Sequence, residues 1–264
     1  FQNVSLGYGG QEVLTDVSFR IGAGDRVGIV GPNGAGKTTV FSLLTGELSP
    51  DRGNITVPRD LKMGYLRQQL APTEASDSLL DYVENALTAV RALQHEIEAI
   101  EAALPAADGV ERERGLKRLG RLQTDFENLG GYELSQRAKE ALGGLGFSTA
   151  EFHQPFRSFS GGWQMRAELS RALVARPDLL ILDEPTNFLD IPAVEWLQRY
   201  LREYGGTLLL ISHDRYLLNT LTTVTLEVLG GRITRYGVNY DYYVRERRLR
   251  HEQLEAAKKN QDRR

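Results

Sequence analysis

Apolar and polar residues alternate in short runs over the first part of the chain, residues 1–31. Glycines at 9–10 and the Gly-Ala-Gly run at 22–24 interrupt these runs. Alternation with a period of two, broken by glycines, is typical of β-hairpins. The last run, Arg26 to Gly31, predicts a buried strand, and Thr38 to Gly46 predicts an apolar helix that ends at glycine. The pattern therefore predicts β-structure that leads through a short loop into a helix.

A helical region follows two further predicted strands, within Ser49 to Val57 and Leu61 to Gln69. From Ser76 to Leu104 and from Val110 to Leu129, apolar residues recur at helical spacing. Both apolar stripes are narrow, which favours two antiparallel helices packed mainly on each other as a projecting hairpin. The alternative is two ordinary helices that lie on the core. A further helix is predicted over Gly130 to Phe147.

Two aliphatic runs in the second half of the chain predict buried strands. The first, Leu179 to Pro185, ends in adjacent carboxylates, and the second lies in Gly205 to Leu221, before another helix. A hairpin with a Gly-Gly turn is predicted over Thr223 to Gly237. From Val244 onward, eight Arg and Lys residues outnumber four Asp and Glu residues. This end predicts a charged helix that is either simply solvated or faces RNA.

The composition is that of an ordinary globular protein. Of the 264 residues, 41% are hydrophobic and 25% are charged, and the formal net charge is −3. That charge argues against bulk attraction to nucleic acid, although a local basic patch could still bind it. The chain contains no cysteine, which excludes disulfides and thiolate metal sites. It also has no run of about eighteen apolar residues and no signal-peptide pattern, so we expect a cytoplasmic protein.

The motif GPNGAGKTT, from Gly31 to Thr39, fits the pattern G-x-x-x-x-G-K-[ST]. Its glycines let the backbone curl so that amide N–H groups point at a phosphate. Lys37 is expected to reach the β- and γ-phosphates, and Thr38 to offer its hydroxyl to Mg²⁺. A strand before the loop and a helix after it favour a phosphate-binding loop over a glycine-rich turn, because a helix N-terminus attracts anions.

Other reactive groups follow predicted strands or precede a predicted helix. Asp183 can hold Mg²⁺ and Glu184 can polarise an attacking water. The run Ser160 to Gly162 precedes a helix and predicts a second anion site. A lone histidine is usually structural. His213, however, ends a strand parallel to the acidic one, where it is placed to meet a γ-phosphate.

Two single residues have competing interpretations. Gln68, at a strand end beside the phosphate loop, can coordinate Mg²⁺ and the attacking water, or it is an exposed polar residue. Tyr8, upstream of the loop, is either a half-buried strand aromatic or a platform for a nucleotide base.

In this order, the motifs resemble those of the ATP-binding cassette ATPases over nearly the whole chain. GPNGAGKTT resembles their Walker A motif, GYLRQQ with Gln68 their Q-loop, and SGGWQ their signature. LLILDE is similar to their Walker B motif, Asn187 to Asp190 to the D-loop, and His213 to the switch histidine. The resemblance implies an α/β fold: a P-loop ATP-binding cassette with an antiparallel β subdomain, a helical subdomain and an inserted α-hairpin arm.

The resemblance also implies hydrolysis of ATP by water. Lys37 and the loop amides would neutralise charge, Thr38 and Asp183 would hold Mg²⁺, and Gln68 would sense the metal and the water. Glu184 would act as base or orient the water, and His213 would hold the γ-phosphate. The residues implied to contact ATP are Tyr8, Gly31, Asn33, Gly34, Ala35, Gly36, Lys37, Thr38, Thr39, Ser160, Gly161, Gly162 and Asp190. In cassette proteins Ser160 and the amides after it serve the ATP of the opposite cassette, so one chain carries two half-sites.

More narrowly, EPTNFLD, FSGGWQMR and SHDRYLLN resemble the soluble ABC-F family, which acts on ribosomes. On this resemblance, 1–72 and 147–242 form the cassette core, 73–146 the arm and helical subdomain, and 243–264 the start of a linker to a second cassette. The expected partners are that cassette, the ribosome, rRNA and tRNA, with no membrane and no DNA. We therefore expect the chain to be a piece of a longer protein.

Two other classes compete with this assignment. In a transporter cassette, the helical subdomain would couple to a transmembrane subunit. A chromosome-associated cassette with a long coiled coil is disfavoured, because each predicted helix has about thirty residues or fewer, or roughly 45 Å at 1.5 Å per residue.

Overall fold

The computed structural model describes residues 1–69 and 77–249. The strands are β1 (Gln2–Tyr8), β2 (Gln11–Val17), β3 (Arg26–Val30), β4 (Arg52–Asn54), β5 (Met63–Leu66), β6 (Leu179–Asp183), β7 (Thr207–Ile211), β8 (Val224–Leu229) and β9 (Arg232–Tyr236). The helices are α1 (Lys37–Leu44), α2 (Leu79–Glu84), α3 (Thr88–Ala103), α4 (Gly109–Asn128), α5 (Gly131–Gly144), α6 (Gly161–Val174), α7 (Ile191–Glu203) and α8 (Arg215–Leu221). Residues 240–249 are also helical. The rest of the predicted linker, 250–264, lies outside the described residues, as does the start of the predicted insertion up to residue 76.

The described residues form two compact units. The first comprises Phe1–Gln68, Pro177–Asn187 and the chain from Gln198 onward. The second comprises the chain from Gln69 to Arg176 together with Phe188–Leu197.

The first unit contains two β-sheets. A small antiparallel sheet has the order β2-β1-β4, and a larger sheet has the order β5-β6-β7-β3-β8-β9. In the larger sheet β5, β6, β7, β3 and β8 run parallel, and β9 pairs antiparallel with β8. Strands β6 and β7 are aliphatic and buried at every position, as central parallel strands require. The core of this unit includes Ile29, Phe41, Ile181, Leu209 and Leu226.

The parallel register brings the carboxyl ends of five strands to one edge of the larger sheet. The phosphate-binding loop follows β3, Glu184 follows β6, and His213 lies just after β7. Open parallel sheets bind their ligands at this edge. The phosphate-binding loop, Glu184 and His213 therefore all lie at the same edge of the larger sheet.

The second unit is helical. Its core includes Leu79, Leu134, Phe147, Phe156 and Ala167, which come from three helices and the segment between α5 and α6. Residues 147–176 thus pack with the helices, although the sequence assigns 147–242 to the cassette core. The reason is that the apolar face of α6 is buried among α2 and α5. The domain boundaries expected from the sequence, with 1–72 and 147–242 as the cassette core and 73–146 as the arm and helical subdomain, therefore stay a prediction.

The helical periodicity from Ser76 to Leu104 is interrupted in the structure. Helix α2 ends at Glu84 and α3 begins at Thr88. Arg91 stabilises the turn between them: its guanidinium donates to Asp81 at 2.7 Å and to Glu84 at 3.0 Å. The two helices can therefore follow different directions, which a continuous apolar stripe does not reveal.

Helices α3 and α4 form the predicted antiparallel hairpin and pack chiefly on each other. Each buries a single residue, Val90 in α3 and Phe126 in α4. A Cβ added at Gly115 of α4 would lie 3.0 Å from the Leu104 side chain, so the hairpin is close-packed near its tip. The α/β fold class with an antiparallel sheet and a helical part is confirmed.

Candidate nucleotide-binding site

The phosphate-binding loop curls at glycines that no other residue could replace without strain. Gly36 precedes α1 with φ +98°, and a Cβ there would lie 2.8 Å from the Val13 side chain. A Cβ at Gly31 would lie 2.3 Å from the carbonyl oxygen of Val228. The amide of Ala35 donates to the Pro32 carbonyl at 3.2 Å and closes the turn. The loop therefore approaches both β2 and β8 more closely than a side chain would allow.

Lys37, the first residue of α1, folds back over this loop. Its Nζ donates to the carbonyl oxygens of Gly31 and Pro32, each at 3.0 Å. Asn33 and Gly34 at the turn are exposed, whereas Thr39 is half-buried against the unit. The ammonium group thus lies inside the curl of the loop, next to the N-terminus of α1, where an anion is favoured.

Thr38 and Asp183 meet across the sheet edge. The Thr38 hydroxyl donates to Asp183 Oδ2 at 2.9 Å. Asp183 ends β6 and is only 2% exposed. Burial raises the pKa of the Asp183 carboxyl, and the Thr38 hydrogen bond and the Lys37 charge oppose that rise. A hydroxyl and a carboxylate are hard oxygen donors of the kind that Mg²⁺ prefers, so this pair fits a magnesium ion that completes its shell with phosphate and water.

Glu184 has the most unusual position in the site. Its backbone is left-handed, with φ +52°, and its amide donates to the Ile211 carbonyl at 2.9 Å. Its Oε2 accepts from the backbone N–H of His213 at 3.2 Å. Among the described residues, its buried Oε1 finds no hydrogen-bond donor. A buried carboxylate oxygen without a donor is suited to hold a water molecule.

The surroundings of Glu184 also affect its charge. Burial raises the pKa of its carboxyl, and the backbone hydrogen bond from His213 opposes that rise. His213 Nε2 lies 3.5 Å from Oε1, while the imidazole remains 70% exposed. The histidine ring therefore lies beside the carboxylate and is accessible to a ligand.

Gln68 and Tyr8 belong to the same unit but are not joined to these groups. Gln68 lies two residues beyond the end of β5 and is exposed. Tyr8 ends β1 before the Gly9-Gly10 turn and is 50% exposed. In the part of the chain that the structure describes, neither side chain has a hydrogen bond to the phosphate loop, Asp183 or Glu184. Both remain available to a ligand, and their predicted roles stay predictions.

The remaining predicted site residues belong to the helical unit. Ser160 is the residue before α6, with an extended backbone and a side chain that makes no capping hydrogen bond. Gly161 and Gly162 form the first turn, so their amides point out of the helix N-terminus. Asp190 accepts from the Ala193 amide at 3.1 Å, and this hydrogen bond, with smaller contributions from Arg166, lowers the pKa of its carboxyl.

Arg166 is a residue that the sequence interpretation missed. Its guanidinium donates to the Phe188 carbonyl at 2.6 Å and to the Leu145 carbonyl at 3.1 Å, and lies 3.3 Å from Asp190. It also lies over the Trp163 ring, 4.4 Å from the centroid. Arg166 thus joins α6, the signature helix that begins within the SGGWQ motif, to the D-loop, Asn187 to Asp190. The sequence offers no signal for this, because an arginine on an amphipathic helix is ordinarily solvated.

A phosphate loop after β3, an acidic pair at the end of β6 and a histidine after β7 define a P-loop nucleotide-binding protein of the ATP-binding cassette class. Two family models, both described as ABC transporter, match residues 14–187 and 226–264. The chain belongs to this family and contains its ATP-binding cassette. Members of the family are ATPases that hydrolyse ATP, generally bind it with Mg²⁺, and work as dimers or paired cassettes.

Curated relatives are similar along almost the whole chain. The uncharacterized ABC transporter ATP-binding protein YfmM of Bacillus subtilis is 34% identical over 98% of this chain and 50% of its own length. The tylosin resistance ATP-binding protein TlrC of Streptomyces fradiae is 38% identical over 98% of this chain and 48% of its own length. The probable ATP-binding protein YheS of Haemophilus influenzae is 39% identical over 92% of this chain and 36% of its own length. The chain therefore spans about half or less of the length of these relatives.

Solved structures support the same fold. The ATP-binding subunit of an ABC transporter has a TM-score of 0.67 at 22% identity, over 89% of this chain and 88% of that one. The ATP-binding cassette MJ0796, a dimer bound to ADP and phosphate, has a TM-score of 0.59 at 22% identity, over 89% of this chain and 97% of that one. Within 1–69 and 77–249, no helix is long and apolar enough to cross a membrane.

Proposed function

We propose that this chain is the first cassette of a two-cassette ABC-F protein that binds and hydrolyses Mg-ATP while it acts on the ribosome. The observation that carries the hydrolytic part is the pairing of Thr38 with Asp183 next to a buried Glu184 oxygen that lacks a donor. Phosphoryl transfer to water depends on positioning and on charge stabilisation at such a site.

Each residue of the site has a proposed role. Lys37 turns from the Gly31 and Pro32 carbonyls to the phosphates, and the loop amides bind the same oxygens. Thr38 and Asp183 hold Mg²⁺, which stabilises negative charge on the phosphates. Glu184 Oε1 accepts a hydrogen bond from the attacking water and serves as its base.

Four further residues complete this proposal. Gln68 contacts the metal and the water, His213 donates to the γ-phosphate, and Tyr8 stacks on the base. Asp190, in the D-loop, contacts ATP at the boundary with the opposite cassette.

A second cassette is needed to complete the site. The amides of Ser160 to Gly162 form an anion site on the helical unit, and in cassette proteins this element closes over the ATP of the partner cassette. The relatives are long enough to contain a second segment of the size of this chain, since it covers 36–50% of their lengths. The cassette would therefore hydrolyse ATP efficiently only within the longer protein.

The ribosomal part of the proposal depends on the α3–α4 hairpin and on helix 240–249. Each helix of the hairpin buries a single residue, and α4 exposes Arg112, Arg114 and Lys117 among acidic side chains. Helix 240–249 presents further exposed arginines beyond its first turn. Exposed basic side chains of this kind suit the phosphate backbone of RNA.

Co-sedimentation with ribosomes tests this part directly. The full-length Glu184→Gln protein, incubated with ATP, should pellet with ribosomes through a sucrose cushion. A variant in which a short Gly-Ser linker replaces 94–121 should lose most of that binding while it keeps Val90 and Phe126 in the helical core. Lys139→Gln, an exposed change on α5, is the matched control. Undiminished pelleting of the shortened variant would contradict the ribosomal role of the hairpin.

The alternative is the nucleotide-binding subunit of a transporter, and it is motivated by the similarity to YfmM, which is described as an ABC transporter ATP-binding protein. The full-length gene separates the two proposals. One cassette, or one cassette fused to membrane spans, would favour transport, whereas two cassettes joined by a charged helix would favour the ribosomal role. DNA-stimulated hydrolysis would instead favour the chromosome-associated class; α3 and α4, with 16 and 20 residues, are short for its coiled coil.

A further inference from the structure

Helix 240–249 is attached to β8 through one buried carboxylate. The Glu227 side chain, in β8, is 9% exposed. Its Oε1 accepts from the Tyr243 hydroxyl at 2.8 Å and forms an ion pair with Arg247, whose Nε lies 2.9 Å away. Its Oε2 accepts from the Tyr236 hydroxyl, on β9, at 3.1 Å. Two hydroxyl donors and one guanidinium thus converge on a single carboxylate, and two of these three groups come from the helix.

The helix is built to make this contact. Tyr243 and Arg247 are four residues apart, so they lie on the same face. Tyr243 is 4% exposed, and its ring centroid is 5.1 Å from that of Tyr236. Burial, followed by the hydrogen bond to Glu227, raises the pKa of the Tyr243 hydroxyl, which therefore remains a donor. The beginning of the helix is packed on the cassette and is not simply solvated.

Glu227 is also a close neighbour of the phosphate loop. Strand β8 is parallel to β3, with Glu227 opposite Val30. The next carbonyl oxygen, of Val228, would lie 2.3 Å from a Cβ at Gly31. On its other side, Gly31 accepts from Lys37 Nζ at 3.0 Å. The backbone of Gly31 therefore lies between β8 and the lysine that is expected to bind phosphate.

The loop and the helix also share a cavity. A space of about 700 Å³ is lined by Gly31 and Pro32 from the loop, by Glu227, and by Tyr243 and Arg247 from the helix. The phosphate loop and the helix therefore face each other across this cavity.

We propose that Glu227 is a positioning residue for ATP binding. By holding Tyr243 and Arg247 it keeps the helix on β8, and β8 holds the Gly31 backbone in the conformation that receives a phosphate. Helix docking and nucleotide binding then favour each other by the same factor, as linkage requires. This inference rests on nucleotide binding by the phosphate loop, and it is independent of the ribosome.

Two conservative variants of the chain test the proposal. Tyr243→Phe removes one donor and keeps the ring, and Arg247→Gln removes the ion pair and keeps a long polar side chain. The matched controls are Tyr242→Phe and Arg245→Gln, whose parent residues lie on the same helix and contact each other. The measurements are the Kd for ADP by fluorescence titration and amide hydrogen exchange over 240–249, with and without ADP.

We expect Tyr243→Phe and Arg247→Gln to bind ADP about fivefold more weakly or worse, the lower end of ordinary couplings, and the controls to bind normally. Saturating ADP should slow exchange over 240–249 in the unmodified chain, and Lys37→Ala should remove that effect. Faster exchange in the two variants with an unchanged Kd for ADP would overturn the proposal, because Glu227 would then attach the helix without positioning the loop. An unmodified chain that binds no nucleotide would overturn the proposed function as well.

Discussion

Thr38 and Asp183 are 145 positions apart in the chain and are joined by a hydrogen bond of 2.9 Å. One residue belongs to α1 and the other to β6, so the contact exists only when β3 and β6 are in the same sheet. The sequence shows two motifs, and the fold makes them one pair of oxygen donors.

The first prediction concerns the metal dependence of this pair. Thr38→Ala removes the hydroxyl, so the affinity for ADP in the presence of Mg²⁺ should fall about tenfold or more, the scale of a disturbed metal shell. The affinity for ADP in excess EDTA should change little, because the loop amides and Lys37 remain. Isothermal titration calorimetry gives both values. Thr38→Ser, which keeps the hydroxyl, should behave like the unmodified chain; an equal loss of affinity with and without Mg²⁺ would contradict the metal role.

The second prediction concerns catalysis by Glu184. Glu184→Gln keeps the shape of the side chain but removes the base, so hydrolysis in the full-length protein should slow by about a hundredfold or more. ATP binding should persist, because the side chain at this position is not expected to contact the phosphates directly. Single-turnover hydrolysis and a nucleotide titration measure the two effects. Glu203→Gln is a control on the exposed end of α7, and unchanged turnover in Glu184→Gln would exclude the base assignment.

The third prediction is that Glu184→Gln stabilises the nucleotide-free chain. Burial raises the pKa of the Glu184 carboxyl in the folded state, so at neutral pH its charge opposes folding. The variant lacks this charge and should melt at a higher temperature than the unmodified chain at neutral pH. The difference should shrink as the pH falls through the raised pKa, since protonation then removes the same charge from the unmodified chain. A pH-independent difference in Tm would contradict this origin.

The local sequence pattern predicted the phosphate-binding loop, the pair of Asp183 and Glu184, and the strand that precedes His213. It could do so because each of these functional groups directly follows an apolar run that reads as a buried strand. Local pattern did not reveal the break at Asn85, because the apolar stripe continues through it and the turn is stabilised by the Arg91 ion pairs. It also did not reveal Glu227. A glutamate in the middle of a strand usually faces solvent, and the three side chains that contact Glu227 come from residues 9 to 20 positions further along the chain.

The fourth prediction separates two glycines of the phosphate loop. Both Gly34 and Gly36 have positive φ, of +77° and +98°. A Cβ at Gly34 meets nothing within 4 Å, whereas one at Gly36 would lie 2.8 Å from the Val13 side chain. Gly34→Ala should therefore cost only the left-handed backbone, about 1–2 kcal/mol. Gly36→Ala adds overpacking of about 1–3 kcal/mol and should also abolish nucleotide binding. Urea unfolding ranks the two variants, and equal losses would show that the contact with Val13 relaxes.

The last prediction concerns Arg166, which joins the signature helix to the D-loop. Its guanidinium satisfies the carbonyls of Phe188 and Leu145 and lies beside Asp190. Arg166→Gln cannot reach all three groups, so the free energy of unfolding should fall by roughly 1–3 kcal/mol, the cost of unsatisfied polar groups.

Because Asp190 and the signature amides are proposed to face the ATP of the opposite cassette, Arg166→Gln should also slow hydrolysis in the full-length protein about tenfold while ADP binding to the isolated chain stays unchanged. Lys139→Gln is the matched control, since its side chain is exposed on α5. If hydrolysis falls only in proportion to the unfolded fraction, Arg166 stabilises the helical unit without serving the site. If turnover falls in fully folded protein, the D-loop is held for catalysis by a residue that no motif identifies.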